Sequence, residues 1–184
     1  MEFVKNKVKI FIVSGKAQAG KDTVCKLIHN YVKSKNLKVI NLQFSSYIKM
    51  YAKNIINWDG SEENKPRTFL QELGTDIIRN KIDDNFFIDR IIEDIKVYSY
   101  FFDVITISDA RFPKELDSIY NSFDNVIKIR ITRTLFENNL DDEEKNHITE
   151  IGLDRYIDYN YEIVNDGTLD DLNNEVIKMI DKTM

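Results

Sequence analysis

Apolar residues fall along this chain in two alternating patterns. Continuous apolar runs read as buried strands, and stretches with apolar residues every three or four positions read as helices. The run Val8-Lys9-Ile10-Phe11-Ile12-Val13 predicts a first strand. Val24, Leu27, Ile28, Tyr31 and Val32 then line one face of a helix. Residues 37–44 predict a second strand, and Ser45-Ser46 a cap for a helix carrying Ile48, Tyr51, Ala52 and Ile55. After a turn at 57–61, Pro66 suits the first turn of a helix bearing Phe69, Leu70, Leu73 and Ile77 and ending near Arg79-Asn80. A further helix, capped by Asp83 or Asp84, carries Phe87, Ile88, Ile91, Ile92 and Ile95. Residues 102–108 predict a third strand closed by Asp109-Ala110-Arg111, followed by a helix from Pro113 to Tyr120. Residues 125–131 and 161–165 predict the last two strands, separated by a polar stretch from Thr132 to Glu150. Thr168 and Asp171 form a capping box for a final helix with Leu169, Leu172, Val176 and Ile180 inward.

Strands alternating with helices predict an α/β fold: a mostly parallel five-stranded sheet with helices on both faces. No repeat or linker divides residues 1–184, so one domain is expected. Ligands of such sheets gather at the carboxyl ends of the strands. Three groups of residues reach those ends: Gly15 to Thr23, Asp109 to Arg111, and Arg130 to Arg133.

The first group carries the clearest chemistry. Ser14-Gly15-Lys16-Ala17-Gln18-Ala19-Gly20-Lys21-Asp22-Thr23 lies between a strand and a helix, the layout of a phosphate-binding loop. Gly15 and Gly20 let the backbone turn and present N–H groups, those of Ala17 and Ala19 among them, to phosphate oxygens. The helix N-terminus adds its dipole, and Lys21 a point charge for the outer phosphates. The hydroxyl that usually follows the lysine is displaced by Asp22 and arrives as Thr23. The expected fold is therefore the three-layer P-loop NTPase fold.

Other candidates each have a plain structural alternative. Asp109 is placed to hold magnesium or to cap the following helix. Asp22 suits the metal's water shell or the helix dipole. Arg79 and Arg111 have the fork that grips a phosphate, though Arg79 also suits a helix C-terminus. Arg133 opens the polar stretch, either as a lid arginine over the transferring phosphoryl or as a solvated side chain. Lys16 touches phosphate or solvent. Trp58, Phe44 and Tyr51 stack on a base or belong to the core. His29 and His147 lack metal-ligand spacing and read as structural.

Composition narrows the partners. The net charge of −5 argues against stable nucleic-acid binding and for a small anionic ligand. No apolar run is long enough for a membrane span, and Met1-Glu2-Phe3-Val4-Lys5 leads directly into the first strand rather than into a signal peptide. The single Cys25 reads as a buried thiol in a reducing cytoplasm. Homodimer formation is left open.

With these residues in place, the chain resembles the deoxynucleoside monophosphate kinases of bacteriophages. The likeness rests on four segments in order. They are the loop with its Asp after the lysine; Leu70-Gln71-Glu72-Leu73-Gly74-Thr75 followed by Arg79; Ile107-Ser108-Asp109-Ala110-Arg111-Phe112-Pro113-Lys114-Glu115; and His147 to Asp154 with Asn165-Asp166-Gly167. The resemblance implies phosphoryl transfer from ATP, with Mg2+, to a deoxynucleoside monophosphate in the cytoplasm, the host's if the chain is phage-encoded. It implies that Lys21, Arg111 and Arg133 act on the phosphoryl group. It also implies that residues 45–98, with Gln71, Arg79 and Trp58, hold the acceptor together with Asp109 and Arg111, that Thr23, Asp22 and Asp109 hold the metal, and that 132–150 form a lid. This lid is acidic, with Lys145 its only Lys or Arg beyond Arg133. Animal-type phosphomevalonate kinases share the Gly-Lys-Asp loop and a similar aspartate–arginine end, and are the nearest enzymatic alternative. A nucleotide-dependent switch would share the loop but need no acceptor arginines.

Overall fold

A computed structural model describes residues 5–135 and 147–184. Five parallel strands form one sheet: β1 (Lys9–Ser14), β2 (Val39–Leu42), β3 (Val104–Ala110), β4 (Val126–Thr132) and β5 (Tyr161–Val164). Their spatial order is β2-β3-β1-β4-β5. β1 is central, with Ile10 beside Ile105 on one side and Val126 on the other. A strand covered on both faces needs apolar residues throughout, which is why its sequence runs apolar without alternation.

Successive side chains of β1 enter different cores. Ile10 and Ile12 pack with Ile105, Ile107, Ile91, Ile95, Leu116 and Ile119, the last four from helices α4 (Phe86–Tyr98) and α5 (Pro113–Ser122). Phe11 and Val13 pack with Val24, Ile28, Val32, Val176 and Ile180, from α1 (Lys21–Ser34) and the C-terminal helix α7 (Leu169–Thr183). The result is the expected three layers. Thr168 and Asp171 make the predicted box at the start of α7.

Three local expectations are overturned. First, β3 runs on through Asp109 to Ala110. Ile12 pairs with Ile107 but Ser14 with Ala110, so Ser108 and Asp109 together face Val13. This bulge re-aims the side chains at the strand's carboxyl end. Second, Ser45 and Ser46 do not cap α2 (Ser45–Ile56); the helix N-terminal N–H groups of Phe44 and Ser45 donate instead to Asp109. Third, the helix opened after Pro66 stays α-helical only as α3 (Arg67–Gln71) and continues as a π-helix, Glu72–Ile82. Its i→i+5 bonding moves the inward face by one residue. Leu73 is therefore followed inside by Ile78, 4% exposed, while Ile77 is 42% exposed.

The first residues of the expected lid, 132–135, follow from β4. Its other end is the short helix α6 (Ile148–Ile151). The acidic run at 141–144 and Lys145 lie outside the described residues.

Candidate active site

The loop joining β1 to α1 is shaped by two glycines. Gly15 has φ +153°, and a Cβ there would lie 2.4 Å from the Ile131 carbonyl oxygen. Gly20 has φ +104°, and a Cβ there would lie 2.5 Å from the side-chain amide nitrogen of Asn165. That amide donates to the Ala19 carbonyl at 2.9 Å, tying the loop to the segment after β5. Lys21 turns back over the loop and donates to the carbonyls of Gly15 (2.8 Å) and Lys16 (2.7 Å). Burial, with Arg111 nearby, lowers Lys21 to about 8, against the opposing pull of Glu150, Asp22 and Asp109.

Beside the loop lies a cleft of ≈ 380 Å³. Lys21, Asp22, Gln71, Arg79, Asp109 and Arg111 all line it, with a cationic rim of Lys49, Lys65 and Arg67. The π-helix supplies Gly74, Thr75 and Arg79 to one wall. Its wide turn brings the Arg79 guanidinium back to the carbonyl of Gly74, five residues earlier, at 3.3 Å. The same guanidinium lies over the rings of Phe87 (4.8 Å) and Phe112 (4.6 Å) and donates to Glu115 at 2.6 Å. Glu115 is 2% exposed, and its second oxygen accepts the backbone N–H groups of Arg111 (2.7 Å) and Phe112 (3.1 Å). Burial raises the Glu115 pKa, with Arg79 and the Arg111 N–H acting against it. Arg79 is thus a largely enclosed, paired arginine lining the cleft and not a free helix-end charge.

A second cleft, ≈ 440 Å³, opens on the other side of Lys21 and Asp22. Thr23, Arg133, Asn165, Gly167, Leu169 and Leu172 line it. Arg133 belongs to this cleft, whereas Arg79 and Arg111 belong to the first. Asp166 fixes the neighbouring backbone by accepting the N–H groups of Thr134 (2.8 Å) and Leu135 (3.1 Å).

The family model for deoxynucleotide monophosphate kinase matches residues 35–176. The chain belongs to that family. The matched span holds Arg79, Asp109, Arg111, Glu115, Arg133 and Glu150 but not the loop at 15–23, whose assignment rests on its geometry and on the fold. Membership makes the chain a nucleotide kinase with ATP as phosphoryl donor. Solved P-loop kinases share the fold at low identity. APS kinase from Mycobacterium tuberculosis, in complex with AMPPNP and APS, aligns with TM-score 0.60 at 12% identity, over 96% of this chain and 99% of that one. A sugar kinase from Janibacter sp. aligns with TM-score 0.58 at 12% identity, over 95% of both chains. A gluconokinase from Sinorhizobium meliloti aligns with TM-score 0.54 at 11% identity, over 97% of this chain and 94% of that one. None of the curated proteins matches the sequence.

The loop and the two clefts bring together most residues singled out in the sequence. Gly15 to Thr23 form the loop and helix start, and Gln71, Arg79, Asp109 and Arg111 converge on the first cleft. Trp58 does not line either cleft; it is buried, its indole N–H donating to the Ser61 carbonyl at 3.2 Å. Phe44 lines the first cleft and packs in the core, and Tyr51 packs against that core. Lys16 pairs with Asp154 at 3.0 Å, half exposed. Cys25 is buried, which pushes its thiol up to about 12 and suits a structural thiol. His29 bonds Thr106 and His147 caps α6 at Thr149, both structural uses. Among the described residues no group of three His, Cys, Asp or Glu could hold a metal ion, and no helix is long and apolar enough to cross a membrane. Thr23, Asp22 and Asp109 offer only hydroxyl and carboxylate oxygens, the hard donor set that suits magnesium shared with phosphates.

Two site residues had no assigned role in the sequence reading. Glu115 stands four residues after Arg111 at the start of α5, where an acidic residue looks like an ordinary helix-dipole charge. Glu150 closes the polar stretch from Thr132, where it carries no role of its own, yet it accepts the Ala17 N–H at 2.8 Å and the Arg111 guanidinium at 2.7 Å.

Proposed function

We propose that this kinase transfers the terminal phosphoryl group of ATP to a deoxynucleoside 5′-monophosphate, giving the diphosphate and ADP. The observation that carries the reading is the shared cleft in which Lys21 of the loop meets Arg79 and Arg111. In this reading Lys21 and the remaining loop N–H groups hold the donor's outer phosphates; those of Ala17 and Ala19, expected to do so from the sequence, donate instead to Glu150 (2.8 Å) and to the Lys16 carbonyl (3.3 Å). Arg133, with Asn165 and Gly167, flanks the rest of the donor in the second cleft. Arg79 and Arg111 grip the acceptor's phosphate and draw its oxygen into line with the donor, and Gln71 and Thr75 line the same acceptor space. Thr23 and Asp22, with Asp109, would hold Mg2+. When bound, that ion neutralises charge on the donor phosphates. An acceptor phosphate needs little help from a general base, so positioning and charge suffice. The buried thiol of Cys25 and the acidic balance support a cytoplasmic small-molecule enzyme, in the host's cytoplasm if phage-encoded.

The test is a coupled assay of ADP release with ATP and Mg2+ against dTMP, dGMP, dCMP, dAMP, the ribonucleotides and phosphomevalonate. Acceleration by one or more deoxynucleotides is expected and identifies the accepted bases. Acceleration by phosphomevalonate alone moves the chain to the alternative acceptor. Tight ATP binding with no acceleration by any acceptor makes it a switch protein.

A further inference from the structure

The strongest feature left unused by that reading is Glu150. Its side chain is 10% exposed and spans two halves of the site. One oxygen accepts the loop N–H of Ala17 at 2.8 Å. The other accepts Nη1 of Arg111 at 2.7 Å. The same nitrogen also reaches the Thr149 carbonyl at 3.4 Å, so among the described residues both hydrogen bonds of this guanidinium use one nitrogen. Nη2 and Nε remain to meet phosphate oxygens in the cleft that Arg111 lines. The backbone is fitted as closely. A Cβ on Gly152 would lie 2.9 Å from the Arg111 carbonyl oxygen, so α6 and the turn after it seat directly on Arg111. Lys16 of the loop pairs with Asp154, just past α6, at 3.0 Å, tying the loop to that turn as well.

We infer that Glu150 is a positioning residue that couples the donor loop to the acceptor arginine. The inference rests on the kinase reading above. A carboxylate shared between a loop N–H and Arg111 makes the arginine's place depend on the loop's conformation. A donor that orders the loop thereby orders Arg111, and binding of one substrate favours the other. Screening is weak at this depth, so the charge on Glu150 acts on its two partners and not on bulk solvent.

The experiment measures calorimetric affinity of the full chain for each of the four deoxynucleoside monophosphates, with and without AMPPNP and Mg2+. It is done for the native protein, Glu150→Gln and Glu150→Asp. The native protein is expected to bind its monophosphate more tightly with AMPPNP present, by a factor of about 5–150. Glutamine keeps the shape but has one acceptor oxygen, and aspartate is too short to span both partners. In both variants the factor should fall close to one, with AMPPNP affinity near the native value and kcat reduced more than KM rises. Circular dichroism reports whether either variant is misfolded, and one folded variant is enough to decide. Native-like coupling and kcat in a folded variant would overturn the inference. Tighter binding of both ligands by Glu150→Gln would overturn it too, making Glu150 an anion that competes with phosphate. A native protein that neither binds nor phosphorylates any of the four monophosphates defeats the proposed deoxynucleotide acceptor itself, a result distinct from the other two.

Discussion

The carboxylate of Glu115 meets the guanidinium of Arg79 at 2.6 Å with one oxygen and holds the N–H of Arg111 at 2.7 Å with the other. One buried side chain thus sets the positions of both arginines assigned to the acceptor. The pair is 11% and 2% exposed, so removing one partner leaves an uncompensated charge in the interior. Glu115→Ala should destabilise the fold by about 3–5 kcal/mol. Glu115→Gln keeps an acceptor for the N–H groups but loses the charge facing Arg79. Its KM for the monophosphate should rise about tenfold or more, the worth of one charged hydrogen bond, with KM for ATP little changed. Steady-state kinetics and thermal melts on the two variants check this.

Asp109 joins β3 to α2 through the N–H groups of Phe44 (2.9 Å) and Ser45 (3.0 Å). It caps from another element what Ser45 and Ser46 were expected to cap locally. Asp109→Ala should cost about 1–2 kcal/mol in urea unfolding without ligands. Asp109→Asn keeps one acceptor and should cost less. If Asp109 also helps hold Mg2+, Asp109→Asn will raise the magnesium concentration needed for half-maximal rate. An unchanged magnesium dependence would leave capping as its only role.

Gly15 meets the backbone of β4, not a movable side chain. A Cβ would stand 2.4 Å from the Ile131 oxygen, at a φ of +153° that alanine avoids. Gly15→Ala should destabilise the protein by about 1–3 kcal/mol, the usual scale of such strain. It should also raise KM for ATP, because the loop must shift to relieve the contact. Denaturant midpoints and ATP titrations would show both effects. A variant of native stability would mean that β4 yields at Ile131.

The layers of the fold were legible because the central strand β1 is covered on both faces, and double coverage writes itself as the unbroken apolar run Ile10 to Val13. The loop was legible because strand, glycines, lysine and helix must be adjacent to bind phosphate. The π-helix was not, since Leu73 and Ile77 fit α-helical spacing as well as Leu73 and Ile78 fit the wider turn; tertiary packing decided between them. The bulge that carries Asp109 past the expected strand end depends on its partner β1 and has no local mark. Glu115 and Glu150 escaped notice because a charged residue reads as solvated until the fold closes over it. Trp58 shows the reverse: an aromatic near the acceptor part of the sequence, buried by its own turn.

Lys21 gives the last prediction, and its sign separates function from folding. Burial and Arg111 hold its pKa at about 8, below the ordinary 10.5 of a lysine. Between these values the unfolded chain binds a proton that the native chain has released. The contribution of Lys21 to stability therefore increases as pH rises from about 8 toward 10.5. Activity runs the other way, because the ammonium form is needed for the phosphates. The kcat/KM for ATP, which reports the free enzyme, should fall above about pH 8. Bound phosphate charge favours the ammonium, so the alkaline limb of kcat should lie higher. Lys21→Ala should abolish most transfer, by on the order of 10²–10³-fold, while folding intact. Against that variant, urea titrations from pH 7.5 to 10.5, across the window set by these pKa values, should isolate the rising Lys21 contribution. If activity and stability instead fell together above about pH 8, alkaline unfolding would explain the loss, and Lys21 would not be the group that titrates.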